Sequence, residues 1–203
     1  RQFKTIDFIL PGQLGFSLLS SGVFSTAFVF ISLKETLVIK RFFATPIKKS
    51  NIVMGEGLAR LVFATLQASV IILVGKFFFG YTLINGIVTF IFMLALAMLA
   101  LMVFLGFGFV VSSVAKDESA VPAIANLITL PQFLLAGTFF PIESFPEWLQ
   151  PISRILPLTY LNEAMRQVAF EGASLIDVKY EILILVIWGV VIYALAVKLF
   201  KWE

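Results

Sequence analysis

The sequence predicts an all-α protein, a polytopic membrane bundle of about five spanning helices. Two observations predict this class. Of the 203 residues, 60% are hydrophobic and 13% are charged, whereas soluble domains are about 45–50% apolar and about 25% charged. The apolar residues also fall in long runs, and a run of roughly 20 residues crosses a hydrocarbon layer about 30 Å thick. Residues 1–203 therefore form a single transmembrane domain.

The predicted spans are separated by polar turns or by longer polar segments. They cover residues 8–33, 58–79, 87–114, 120–140 and 182–200. Pro11 lies near the start of the first span, where a missing amide costs little, and Pro131 lies inside the fourth span, which it should kink. Five spans put the chain ends on opposite faces. A further span before residue 1 would give six helices with both ends on one face.

Residues 34–49 form a connector of a different kind between the first two spans. Lys34, Arg41 and Lys48 recur every seven residues, with apolar residues between them. This pattern is typical of a short amphipathic helix at the membrane surface. Pro46 should interrupt it, because proline disfavours helix in the residue before it.

Residues 141–179 are too polar to span and too apolar for an ordinary loop. Prolines recur through the segment, from Pro141 to Pro157, and Trp148 and other apolar residues lie between them. We predict short re-entrant helices that dip into the membrane interface. Glu163 and Arg166 are three residues apart, so they could pair on one helical face.

The distribution of basic residues predicts the orientation. Lys and Arg are dense in the connector and at the C-terminal end, whereas residues 141–179 mix theirs with Glu143, Glu147, Glu163 and other acidic residues. Under the positive-inside rule, the connector and the C-terminus are cytoplasmic and residues 141–179 lie outside.

Composition excludes several kinds of site. The chain has no Cys and no His, which removes disulfides, thiolate nucleophiles and imidazole metal ligands. Its one Gly-Lys pair, Gly75-Lys76, is followed by Phe77, so it does not match the phosphate-binding loop Gly-x-x-x-x-Gly-Lys-Ser/Thr. We therefore predict no enzymatic activity, cofactor or metal on this chain.

Three neutral polar residues within the predicted spans are candidates for a translocation path: Gln67, Asn126 and Gln132. A polar side chain in lipid is costly unless it faces protein or water. The alternative, which we favour for these residues, is hydrogen bonding between helices.

Two stretches resemble the permease subunit of the type 2 ABC exporter family, which includes drug and polysaccharide export permeases. Residues 35–60, with the core Phe42, Phe43, Ala44, Thr45 and Pro46, are similar to the family's cytoplasmic connector. Residues 133–166 are similar to the family's segment that leads from the fifth helix into the outer re-entrant helices. The matching residues in this stretch are Gly137, Phe140, Pro141, Pro146, Pro157, Thr159, Tyr160 and Arg166.

The resemblance implies a permease that forms the path for an amphipathic drug, lipid or glycan. A separate subunit would hydrolyse ATP with Mg²⁺, and a second permease copy, identical or different, would complete a dimer in the plasma membrane, the inner membrane of a bacterium. The connector would be the coupling helix that docks on the ATPase through Glu35, Lys40, Arg41, Phe42, Thr45 and Pro46. The outer segment would include Pro141, Trp148, Pro157, Tyr160, Glu163 and Arg166.

Other readings of these features are possible for such a chain. An amphipathic connector could simply rest on anionic headgroups. The protein could be an ion-coupled secondary transporter, although that mechanism needs charged residues inside the membrane. Apart from Lys76 near an outer end, the predicted spans contain no charged residue away from their boundaries. It could also be a membrane assembly protein without transport activity, which would leave the two family segments unexplained.

Overall fold

The computed structural model describes residues 4–35 and 49–199, apart from the side chains of residues 35, 49, 50, 52 and 53. This part of the chain forms seven α-helices. They are α1 (Thr5–Glu35), α2 (Lys49–Phe79), α3 (Ile87–Val114), α4 (Val121–Leu135), α5 (Gln150–Ser153), α6 (Pro157–Arg166) and α7 (Lys179–Leu199). Single turns of other helix types cover Glu118–Ala120, Ile142–Ser144 and Gln167–Glu171.

Four of these helices are long and apolar enough to cross a membrane: α1, α2, α3 and α7. The shortest of them, α7, has 21 residues, which corresponds to about 32 Å at 1.5 Å per residue. No strand forms in the part of the chain that the structure describes. The prediction of an all-α membrane bundle is confirmed.

Helix α4 is shorter than the span predicted over residues 120–140. It has 15 residues, about 22 Å, which is less than the hydrocarbon thickness of about 30 Å. The helix ends because the chain turns at Gly137, whose φ of 68° is open to glycine at little cost. Residues 4–35 and 49–199 thus contain four helices of spanning length, where the sequence predicts five spans.

Helix α1 is the centre of the bundle and contacts α2, α3, α4 and α6. Leu14, Leu18 and Val23 on this helix are fully buried. Its approach to α3 depends on Gly108, where a Cβ atom would lie 2.8 Å from the carbonyl oxygen of Val23. The small residues of α3 therefore serve close helix packing.

Two sets of contacts mark the two ends of the bundle. At one end, which we call the Lys34 end, Lys34 Nζ donates to the carbonyl oxygen of Ser112 at 3.1 Å. At the other, the Arg166 end, Lys4 Nζ donates to the carbonyl oxygen of Gly80 at 3.1 Å. The chain runs from the Arg166 end to the Lys34 end in α1, α3 and α7 and runs back in α2 and α4. The short helix α6 lies at the Arg166 end.

Candidate functional site

The segment at the Arg166 end is helical and packed against the spans. Its main element is α6, which begins at Pro157, a residue that suits the first helical turn because it has no N–H to satisfy. Seven of its ten residues are buried, and the helix contacts α1, α3, α4 and α7. Thr159 Oγ1 donates to the carbonyl oxygen of Ser153 at 2.6 Å and ties α6 to α5.

Arg166 joins the end of α6 to the start of α1. Its Nε and Nη2 atoms donate to the carbonyl oxygen of Phe8 at 3.1 and 3.0 Å, and Nη2 also donates to the carbonyl oxygen of Gly137 at 2.5 Å. The guanidinium carbon lies 3.7 Å from the centre of the Phe8 ring. Pro11 has no N–H to donate to the carbonyl oxygen of Asp7, the residue directly before Phe8.

The ion pair predicted between Glu163 and Arg166 is wrong. Arg166 is directed at main-chain oxygens instead, and the salt bridge of the described residues joins Arg60 to Glu56. Burial raises the pKa of Glu163 and nearby Glu181 raises it further, while burial lowers the pKa of Arg166 to about 10. A spacing of three residues permits a pair, but the tertiary contacts of α6 decide which group the arginine meets.

Two glycines of α1 allow α6 and the end of α4 to approach closely. A Cβ atom at Gly15 would lie 2.6 Å from Asn162 Oδ1, and one at Gly12 would lie 2.8 Å from the Cα of Thr138. Asn162 Nδ2 donates to the carbonyl oxygen of Ala136 at 3.0 Å. The result is a buried polar seam between α1, α4 and α6, in which Asn162 Oδ1 and Thr138 Oγ1 have no hydrogen-bond partner.

The rest of the predicted outer segment divides into a buried and an exposed side. Pro157 is buried, whereas Pro141 is exposed and Trp148 is 72% exposed. Tyr160 is half-buried and donates its hydroxyl to the carbonyl oxygen of Arg154 at 2.5 Å. An exposed tryptophan beside buried helix suits a headgroup layer, where an amphipathic ring is stable.

The three predicted path residues have different surroundings. Gln67 on α2 donates to Ser17 Oγ on α1, which is a bond between helices. Gln132 is 3% exposed, and Asn126 lies on another face of α4 that is exposed. The structure does not place the buried Gln132 and the exposed Asn126 on one surface.

The predicted coupling residues lie at or beyond the limit of the described chain. Glu35 is the last residue of α1. Lys40, Arg41, Phe42, Thr45 and Pro46 lie outside the described residues. Close to this end, Arg60 pairs with Glu56 one turn earlier on α2, beside a cavity of about 50 Å³ that Thr26 and Tyr193 help to line.

Sequence reasoning missed a buried carboxylate at the Arg166 end. Asp7 is 1% exposed and accepts hydrogen bonds from the amide of Lys4 at 3.2 Å, from the amide of Thr82 at 2.8 Å and from Thr82 Oγ1 at 3.1 Å. These hydrogen bonds offset the free-energy cost of burying a carboxylate. Its place just before an apolar run was visible in the sequence, but its partner in the α2–α3 turn was not.

Comparison with known proteins identifies relatives of this chain. A family model described as ABC-2 type transporter matches residues 2–170. The chain is 27% identical over 172 residues to ABC transporter G family member 20 of Dictyostelium discoideum, which covers 85% of this chain and 23% of that protein.

Two bacterial proteins are similar at comparable levels. The probable multidrug ABC transporter permease YbhR of Escherichia coli is 25% identical over 142 residues, 70% of this chain and 38% of that protein. The linearmycin resistance permease protein LnrN of Bacillus subtilis is 21% identical over 186 residues, 91% of this chain and 47% of that protein. The chain spans less than half the length of each of these three relatives.

Proposed function

The chain belongs to the ABC-2 type transporter family, and from this membership we propose that it forms most of the membrane-spanning permease subunit of an ATP-driven exporter. It is a multi-pass membrane protein with four helices of spanning length in its described part. A separate subunit binds ATP and Mg²⁺ and hydrolyses the nucleotide. The permease itself carries no ATPase activity.

The observation that carries this proposal is the position of α1. This helix has 31 residues, about 46 Å. One end leads into the connector, and Arg166 binds the other end through Phe8. A movement of the connector would therefore reach the re-entrant helix through one continuous rigid element.

In this mechanism the connector docks on the ATPase subunit. Glu35, Lys40, Arg41, Phe42, Thr45 and Pro46 form the contact, and closure of the nucleotide-bound ATPase moves the Lys34 end of α1. The packing of Gly108 against α1 and of Gln67 against Ser17 supports the transfer of that movement to α3 and α2. Sub-ångström shifts in tightly packed helices become rigid-body motions of the whole element.

The substrate that we propose is an amphipathic drug, a lipid or a glycan. Two relatives are named as a multidrug permease and as a linearmycin resistance permease, which favours an amphipathic drug. The path lies between this chain and a second permease copy, identical or different, with Asn126 on the exposed face of α4 and α6 near its exit. The membrane is the plasma membrane, the inner membrane of a bacterium.

Transport in reconstituted vesicles tests this function. The full-length permease is reconstituted with its ATPase subunit, and accumulation of a fluorescent amphipathic drug is followed in vesicles whose nucleotide sites face outward. We expect accumulation that requires ATP, Mg²⁺ and the ATPase subunit together. Accumulation driven by a proton or sodium gradient without ATP would contradict the proposal and would favour an ion-coupled transporter.

A further inference from the structure

An apolar groove runs between α1 and α2 at the Arg166 end of the bundle. It is an open groove with a volume of about 380 Å³, in the size range of ligand pockets, about 300–1,000 Å³. The side chains that matter for its shape are Ile6, Ile9 and Leu10 on α1 and Val70, Val74 and Phe79 on α2. Apart from Gln13, every residue that lines it is apolar or glycine.

The groove has the depth of one membrane leaflet. Its lining extends from Ile6 to Gln13 on α1 and from Val70 to Phe79 on α2. These intervals correspond to about 10 Å and about 14 Å along the helix axes. Half of a hydrocarbon layer is about 15 Å thick. The groove therefore starts at the ends of the two helices and extends along them for slightly less than the thickness of one leaflet.

Its floor is the place where the two helices touch. A Cβ atom at Gly75 would lie 2.0 Å from Leu10 Cδ1, so the missing side chain of Gly75 lets α2 approach α1 beneath the groove. Above this floor the walls are open to the surroundings, since Val74 is 41% exposed and Val70 is 58% exposed. An apolar chain that fills the groove gains dispersion contacts, which drive association within a membrane where the hydrophobic effect does not.

A positive charge stands at the mouth of the groove. Lys4 precedes Ile6 and donates from Nζ to the carbonyl oxygen of Gly80 at 3.1 Å, directly after Phe79. The ammonium group thus bridges the ends of α1 and α2. An ammonium has three N–H donors, and among the described residues Gly80 is the acceptor that takes one of them. The carboxylate of Asp7 nearby is turned to Thr82.

We propose that this groove binds a glycerophospholipid, with one acyl chain between α1 and α2 and its phosphate on the ammonium group of Lys4. The apolar lining matches an acyl chain, the leaflet depth matches its length, and the lysine matches the charge of the phosphate. This site is separate from the proposed path, and it does not depend on the proposed function.

Photocrosslinking in nanodiscs tests the site. The full-length protein is placed in phosphatidylglycerol that carries a diazirine in the middle of one acyl chain, and labelled peptides are identified by mass spectrometry. We expect labelling concentrated on residues 6–13 and 70–79. Val74→Trp should fill the groove and reduce labelling there to the level of the other lipid-facing surfaces, whereas Leu73→Trp, also at a residue 41% exposed but outside the lining, should leave it unchanged.

The charge is tested with a second matched pair. Lys4→Gln should lower the labelling by about fivefold, the effect of one basic residue near an anionic surface, while Lys76→Gln, at an exposed lysine of α2 outside the lining, should change it by less than about twofold. If Val74→Trp fails to assemble, the lysine pair decides alone.

Three results would overturn the proposal. If the two Trp variants are labelled equally and the two Gln variants are labelled equally, the groove holds the same lipid as the rest of the lipid-facing surface. A crosslink from a photoreactive thiol reagent on Val74→Cys to another helix or to a second copy would show that protein covers the groove. Displacement of the lipid by a transported drug would make it a substrate site.

Discussion

The guanidinium group of Arg166 lies 3.7 Å from the centre of the Phe8 ring and donates two hydrogen bonds to the Phe8 carbonyl oxygen. This relationship ties the short helix α6 to the long central helix α1. Lysine lacks both the planar guanidinium group and the stacking surface of arginine. We therefore expect Arg166→Lys to lower the free energy of unfolding nearly as much as Arg166→Ala.

Loss of these contacts should lower the free energy of unfolding by about 2–4 kcal/mol, since buried charged hydrogen bonds and a cation–π contact are removed together. Thermal unfolding of the detergent-solubilised permease measures this, and drug transport should fall in parallel. Arg154→Ala, at an exposed arginine of the same segment, is the control. An Arg166→Ala protein that matches this control would show that the Phe8 contact does not stabilise the segment.

A second prediction concerns Asp7 and Thr82. Asp7→Asn should destabilise the protein by about 1.5–3 kcal/mol. Asparagine keeps one oxygen that can accept from the Thr82 amide, but it presents N–H groups where the second carboxylate oxygen accepts from the Lys4 amide and the Thr82 hydroxyl. Thr82→Val removes only the hydroxyl donor, so it should lower the free energy of unfolding by less than Asp7→Asn does. A double-mutant cycle by thermal unfolding measures their coupling; strictly additive effects would contradict the proposed interaction.

The third prediction concerns helix packing at Gly108. Gly108→Ala should destabilise the bundle by about 1–3 kcal/mol, because the added methyl group meets the carbonyl oxygen of Val23 at 2.8 Å and forces α1 from α3. Gly189→Ala is the matched control. Its methyl group would lie 3.6 Å from Val103 Cγ2, an ordinary contact, so alanine should be neutral or slightly stabilising there. Equal melting temperatures for the two variants would contradict this account.

The parts of the fold that the membrane determines could be predicted from the sequence. The parts that tertiary contacts determine were harder to predict. Long apolar runs must be helices of about 20 residues, so the bundle follows from hydropathy. The shortness of α4 does not, because the residues before Gly137 are as apolar as a true span. The glycine in the left-handed region ends the helix, and a single glycine in an apolar run does not by itself signal such a turn.

The site shows the same division. Residues 141–179 are too polar to span the membrane and too apolar for an ordinary loop. This composition predicts short packed re-entrant helices, and Arg166 and Asn162 lie on one of the short helices of this segment. Their partners could not be predicted in this way, because they are main-chain oxygens of Phe8, Gly137 and Ala136, and the spacing of residues cannot reveal bonds to a distant backbone. The partner of Asp7 was hidden for the same reason, since 75 residues separate it from Thr82.

The fourth prediction concerns coupling through the connector. Arg41→Glu and Pro46→Leu should each reduce drug transport and drug-stimulated ATPase activity while leaving the permease folded, because they alter the charge and the shape of the surface that we propose to dock on the ATPase. Lys116→Glu, at an exposed turn of the same end, is the control for a general change of surface charge. A double Arg41, Pro46 variant that keeps its ATPase subunit and full coupling would exclude the connector as the docking element.

The last prediction is that amide exchange divides the re-entrant segment into two parts. Residues 158–165 belong to α6, where most side chains are buried and the helix is packed on α1 and α7, so their amides should exchange slowly. Residues 147–149 precede α5 in a turn in which Pro146 and Trp148 are exposed, so their amides should exchange faster. Because protection reflects local opening, Arg166→Ala should speed exchange in α6 and leave exchange in the middle of α3 unchanged.

Hydrogen exchange with mass spectrometry on the reconstituted protein measures the exchange in α6, the exchange in the turn before α5 and the effect of Arg166→Ala. Rapid and uniform exchange from residue 142 to residue 165 would instead identify a flexible external loop, and α6 could not then transmit or receive the movement of α1.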